Sequence, residues 1–415
     1  MVTLMLIVLG LIVARLAGTL VLSALNRSQI RRAAKAPPAG ALAIMDAETF
    51  SKAASYTLER SLFGSLVEVF DAFILGVVLF GGFLPWLYWR IGNWGDPGSA
   101  WVGATYIVVA MSVISAISLP FGWWEQFRIE ARYGFNRSSP GLWLADRAKG
   151  FVLSVVLGFP LLWALLALVS WAGDSWWIWG FALIFVVQIV MMLVYPTLIL
   201  PLFNTLSPLP EGELRTRLLA LGERTQFKAN AIHIMDGSKR SAHSNAFFTG
   251  FGRFRRIVLY DTLVAQLTTE ELEAVLAHEI GHYRKGHIPK AIALSAGGLL
   301  LGLYLAGVLA RTPWFNLGFG LPAEETAPTF LLFGLTAGLV TFWVTPLGNA
   351  LSRRNEYEAD RFARDAMGGP AAMIGALRKL AQKNLSNLTP HPLFSAFYYS
   401  HPTLIEREEA LRNAR

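Results

Sequence analysis

The 415-residue sequence predicts a mainly α-helical, polytopic membrane protein with seven transmembrane helices. Three observations carry that reading. The chain is 54% hydrophobic and only 15% charged, with a mean hydropathy of +0.45, whereas soluble domains carry about 25% charged residues. Seven stretches are long and apolar enough to cross a hydrocarbon core of ~30 Å. Lys and Arg gather in alternate loops, as the positive-inside rule requires.

Met1–Ala24 is apolar apart from Arg15. It lacks a basic n-region and is too long for a signal peptide's h-region, so it reads as a retained helix. The other spans are 64–89, 101–121, 151–171, 176–200, 291–309 and 329–347, with Trp residues clustered at several ends. Six Lys/Arg lie between Arg27 and Arg60 and five between Glu125 and Lys149. The long polar region 204–289 and the tail after Ser352 fall on the same side of the membrane as these basic loops. The opposite loops carry Arg90 and Arg311 at their margins. This pattern predicts a cytoplasmic polar region and C-terminus. It also explains the net charge of +8 better than nucleic-acid binding does, since no basic helix or aromatic RNA-binding signature accompanies it. Arg15, Glu68 and Asp71 fall within spans, where ionisable groups normally face a bundle interior or a water-filled cavity. A polar chamber is therefore expected, with Glu68 at the membrane edge as the other reading.

The polar region holds His278-Glu279-Ile280-Gly281-His282. Thr268 and Glu271 make a capping box ahead of it, and Leu272, Val275, Leu276 and Ile280 recur at helical spacing. Residues four apart share a helix face, so His278 and His282 can hold one Zn²⁺ per chain, with Glu279 placed to take a proton from water. The absence of cysteine leaves His and carboxylate as ligands. Ala231–Met235, Ile257–Tyr260 and Asn245–Phe248 are short β-rich runs beside this helix. They predict either an edge strand that pairs with an extended peptide or an ordinary hairpin packing the helix. Glycosylation sequons at Asn26, Asn136 and Asn387 fall on the cytoplasmic side and read as noise. A third ligand is expected in the helix-compatible run 352–363, where Glu356, Glu358 and Asp360 compete. Glu356 and Asp360 share a face, and spacing alone does not choose between the three.

With these residues in place, the chain resembles the type I CAAX prenyl endopeptidase family of integral-membrane zinc metalloproteases. The resemblance rests on His278–His282 and on the Ser-Arg-Arg-x-Glu-x-x-Ala-Asp pattern at 352–360. It extends to Lys239–Phe248, Arg256–Leu259, Tyr133–Asn136, Tyr195-Pro196, Pro201–Asn204 and Ser400–Pro402, in family order. The first ~100 residues match only in hydropathy. The resemblance implies seven helices around a water-filled chamber with the zinc site at its cytoplasmic end. It implies Glu356 as third ligand, Asp360 as its partner beyond the ligands, Asn245 as a holder of substrate backbone and His401 as a stabiliser of the oxyanion. His243 and His287 could also line the site but read as structural, as do His233 and His391.

Four regions are expected: five helices with their loops in 1–203, the catalytic region 204–290, two helices in 291–350, and the third-ligand helix and tail in 351–415. The expected reaction is CAAX-type C-terminal processing of a prenylated or similar peptide at the lipid bilayer. A membrane quality-control zinc protease and a seven-helix transporter with structural zinc are the alternatives, although no internal repeat points to a transporter. Arg outnumbers Lys and Ala and Leu abound, which points to a GC-rich bacterial genome and an inner-membrane location. In that setting prenylated proteins need not be the natural substrates.

Overall fold

The computed structural model describes residues 2–96, 98–227, 231–249 and 256–413. Among these, six helical stretches have the length and apolar composition to cross a membrane: Val2–Lys35, Ala47–Phe80, Ala100–Ile117, Pro140–Phe203, His287–Ala310 and Thr326–Met367. We label the first three α1, α2 and α3. The fourth stretch is two helices packed side by side, α4 (Pro140–Ala172) and α5 (Trp176–Val194). They part at Gly173–Ser175, where Gly173 takes a φ of 53°. That is the acidic turn at Asp174 that separates two apolar runs in the sequence.

The second span departs from expectation. Hydropathy joins 64–89, but α2 runs from Ala47 to Phe80 and stops at Gly81-Gly82. A Cβ on Gly81 would meet the Val77 carbonyl oxygen at 2.5 Å, and Gly82 sits at a φ of 80°. A separate helix, Phe83–Gly92, follows. Hydropathy cannot see a backbone break between two apolar runs.

Val8 of α1, Leu79 of α2, Tyr106 of α3 and Leu332 belong to one apolar core. The charges inside the spans find one another: Arg15 lies 3.7 Å from Glu68 and stands over the Phe342 ring. Glu68 also lines a cavity of about 1080 Å³ that reaches Arg60, Asn384, His401 and Arg407.

The polar region builds a four-stranded sheet ordered β1-β2-β4-β3: β1 (Leu206–Pro208), β2 (Ala231–Met235), β3 (Ala246–Thr249) and β4 (Arg256–Tyr260). β2 and β4 are parallel with Ala231 opposite Arg256, and β3 runs antiparallel to β4 at the edge. Three strands match the expected runs; β1, three residues ending in proline, carries too little pattern to read. Side chains of β4 alternate as strand geometry demands. Ile257 and Leu259 pack toward Leu272, Leu276 and Ile280, and Val258 packs toward Leu200 and Met235.

One knot of side chains ties this sheet to the membrane helices. Arg240 donates to both Asp146 oxygens at 2.8 and 3.0 Å and to Asn204 Oδ1 at 3.3 Å. Asn136 bridges to Ser241, and Phe135 stacks on His243 at 4.0 Å. Glu130 accepts from Tyr56 at 2.6 Å and lies 3.2 Å from His243 Nε2. Burial opposes ionisation of Glu130, but His243, Tyr56 and Arg60 outweigh it and hold the carboxyl below its usual range. The sequence segments 133–136, 201–204 and 239–243, scattered along the chain, therefore meet in one place.

Candidate active site

The motif helix α6 (Thr269–Arg284) starts with the expected capping box. Glu271 N–H donates to Thr268 Oγ1 at 3.3 Å, and Glu271 Oε2 accepts from Thr268 N–H at 2.8 Å. Two buried carboxylates, two residues apart and so on different sides, anchor its first turns. Glu271 accepts from Lys379 at 2.7 Å, and buried Glu273 accepts from Arg217 and Arg224 at 2.8 and 2.6 Å. Leu272, Leu276 and Ile280 are buried against the sheet.

The opposite face of α6 crosses the helix α9 (Thr345–Met367), which follows the apolar helix α8 (Thr326–Thr341); α7, between them in sequence, is His287–Ala310. Gly281 permits the crossing: a Cβ there would lie 3.0 Å from Ala359 Cα and 3.1 Å from its carbonyl oxygen. Gly281→Val is expected to wedge α6 from α9, cost about 1–3 kcal/mol by overpacking, and lower metal affinity by spreading the donors. Thermal melting and a metal titration check this. Metal affinity equal to wild type would refute the role assigned to Gly281.

The crossing brings Glu356 to the two histidines. His278 Nε2 lies 3.3 Å from Glu356 Oε2, His282 Nε2 lies 3.2 Å from Oε1, and the two Nε2 atoms are 3.2 Å apart. One donor atom from each of the three lies within 4.8 Å of the others. Of the three competing acids, Asp360 instead meets His278 Nδ1 at 2.8 Å, and Glu358 turns to His287 and Arg354.

The donor set fits a metal. Glu356 Oε2 is buried with no hydrogen-bond partner, 3.8 Å from the Arg407 guanidinium, and a cation held between it and the imidazoles would satisfy it. Burial works against charge on His278, yet Asp360 and Glu356 raise its pKa to about 9. Both observations call for positive charge at one point, and two imidazoles with a carboxylate suit a zinc-like ion. Glu279 is partly buried within electrostatic reach of His278 and His282, and burial pushes its carboxyl upward.

His401 Nε2 lies 3.3 Å from Glu356 Oε1, and its side chain is 60% exposed. Asn245 stands exposed at the head of the edge strand β3, which packs against α6. Its carbonyl accepts from Tyr260 N–H at 3.1 Å and its side chain from Ala246 N–H at 2.9 Å. His243 belongs to the Glu130 knot and also meets Asn384 at 3.2 Å. His233 lies on β2, and His391 caps the helix Pro392–Tyr398 by accepting from Leu393 N–H.

One neighbour of the site, Arg407, escapes the sequence reading, and another, His287, is weighed there toward a structural role. Arg407, buried on α11 (Leu404–Asn413; α10 is Ala371–Lys383), donates to both Asp360 oxygens at 2.8 and 2.6 Å. It also lies 3.5 Å from His278 Nδ1. In the run Glu406-Arg407-Glu408-Glu409 it looks like part of a solvated face, and its only signal is its place soon after His401. His287, read as structural, has its Nδ1 3.0 Å from His282 Nδ1.

An apolar helical body carrying a largely buried His-His-Glu set beside a glutamate defines a membrane metallopeptidase. Comparison with known proteins agrees. Residues 26–205 match the CAAX prenyl protease N-terminal domain of five membrane helices, and residues 208–415 match peptidase family M48. The chain is similar to the CAAX prenyl protease 1 homolog of Arabidopsis thaliana, 35% identical over 385 residues covering 90% of each protein. It is 33% identical over 400 residues to CAAX prenyl protease 1 of Saccharomyces cerevisiae, covering 88% of this chain and 86% of that one. The crystal structure of S. mikatae Ste24p superposes with a TM-score of 0.89 at 30% identity, covering 98% of both chains. The chain belongs to the type I CAAX prenyl protease family and is a metalloendopeptidase.

Proposed function

We propose that this protein hydrolyses peptide bonds near the C-terminal ends of prenylated or similar membrane-associated peptides, with one zinc held by His278, His282 and Glu356. The observation that supports it most is the convergence of those three donors, with Glu279 beside them, near β3, the edge strand of the sheet among the described residues. Zinc bound there would supply a Lewis acid that brings the pKa of water toward ~7 and polarises the scissile carbonyl. Glu279 takes the proton and returns it to the leaving amine. Asp360, clamped by Arg407, holds His278 through Nδ1 and leaves Nε2 free to bind. His401 offers a donor to the developing oxyanion. Asn245 and β3 present main-chain and amide groups to an extended peptide.

In this reading α1, α2, α3, α4, α5, α7 and α8 are the seven spans, and the cavity reaching from Glu68 to His401 belongs to a water-filled chamber. The catalytic region faces the cytoplasm, by the loop charges, and the membrane is the inner one if the source is bacterial. The chain follows the family over its N-terminal as well as its catalytic part, which favours the CAAX-protease type over a general quality-control protease. A chamber admits extended ends and excludes folded domains. The test compares a farnesylated CAAX peptide, the same peptide without the lipid, and a folded reporter lacking extended ends. The peptides are expected to be cut, the farnesylated one faster, and the reporter spared. A reporter cut as fast as the peptides would overturn the chamber reading; equal rates for both peptides would remove the prenyl preference.

A further inference from the structure

Beyond the donors lies a second chain of polar groups that no step above uses. α6 ends at Arg284 and α7 begins at His287, with Gly286 between them at a φ of 69°. This left-handed corner folds the start of α7 back on the last turn of α6. His287 becomes buried, with its Nδ1 3.0 Å from His282 Nδ1 and its Nε2 3.3 Å from Glu358 Oε2. Glu358 is itself paired with Arg354 at 3.3 Å.

Chemistry allows one polarity for this chain when His282 binds a cation. His282 Nε2 faces the donor set, so its lone pair belongs to the metal and the ring proton sits on Nδ1. That proton needs an acceptor, and the atom in reach is His287 Nδ1. His287 must then carry its own proton on Nε2, where Glu358 accepts it. Each link fixes the tautomer of the next, and the carboxylate at the end gives the chain its direction. From this geometry we infer that His287 and Glu358 are positioning residues for metal binding: they lock the His282 tautomer and ring orientation and raise its basicity. The inference rests on the zinc reading above. His278 receives the parallel service from Asp360 and Arg407, so each ligating imidazole has its own carboxylate-terminated support.

The test reads metal affinity, not turnover. Zinc dissociation constants are measured by chelator competition on the purified full chain, with the melting temperature of the metal-free form as a folding control. His287→Leu removes the acceptor, and zinc is expected to bind about 10–100-fold more weakly. His287→Asn, whose Oδ1 stands near the position of Nδ1, should recover most of the loss, a rescue that a packing role would not produce. Glu358→Ala, at a partly exposed position that tolerates truncation, should weaken zinc several-fold without lowering the metal-free melting temperature. Wild-type affinity in both His287→Leu and Glu358→Ala would overturn this inference and leave the zinc reading intact. Loss in His287→Asn equal to that in His287→Leu would assign His287 to packing. Wild type that binds no zinc would instead remove the reading on which the inference stands.

Discussion

Glu279→Gln is expected to abolish peptide hydrolysis while leaving the bound metal in place. A positioned general acid–base group contributes about 10²–10⁴-fold, and in the proposed mechanism one carboxylate performs both proton transfers. Glutamine keeps the size and the hydrogen-bonding reach of Glu279 but cannot take the proton, so the loss should appear in kcat with little change in KM. The proposed donors are His278, His282 and Glu356, none of which is altered, so zinc content should remain at the wild-type level. Activity within a few-fold of wild type would rule out the assigned role.

Glu356→Ala is expected to produce a different signature, loss of the metal and of activity together. Glu356 supplies the only carboxylate of the set and is buried against both imidazoles. Its removal should weaken zinc by more than the ~100-fold upper range seen for residues that act through a ligand. The variant also leaves Arg407 and His278 with less compensating charge, although Asp360 still accepts from Arg407 and remains 2.8 Å from His278 Nδ1. A protein that keeps its fold and loses its metal is therefore the expected outcome. Metal retained at wild-type affinity in Glu356→Ala would move the third ligand elsewhere.

What could be read from the sequence follows the range of the interactions. His278 and His282 are four apart on one helix, so their shared face is a local fact and was legible. The capping box at Thr268 and the apolar run Leu272–Ile280 were legible for the same reason. The choice among Glu356, Glu358 and Asp360 was not, because it depends on how α9 is rotated against α6, and that is set by the close approach of Gly281 to Ala359. The family resemblance pointed to Glu356 where spacing could not. Arg407 was hidden in a charged run, and His287, named as able to line the site, had no local signal to tie it to His282 rather than to a structural role. Membrane stretches were visible as composition, but the Gly81-Gly82 break was a backbone event inside an apolar run. The distant segments around Phe135, Asn204 and Arg240 carried no pairwise signal until folding joined them.

The central claim is that His278, His282 and Glu356 hold one catalytic zinc, and the most direct measurement is the metal content of the purified protein set against its activity. Wild type is expected to carry one zinc per chain, to lose both metal and peptide cleavage to a chelator, and to regain both on adding zinc. Full cleavage by protein stripped of metal would contradict the account.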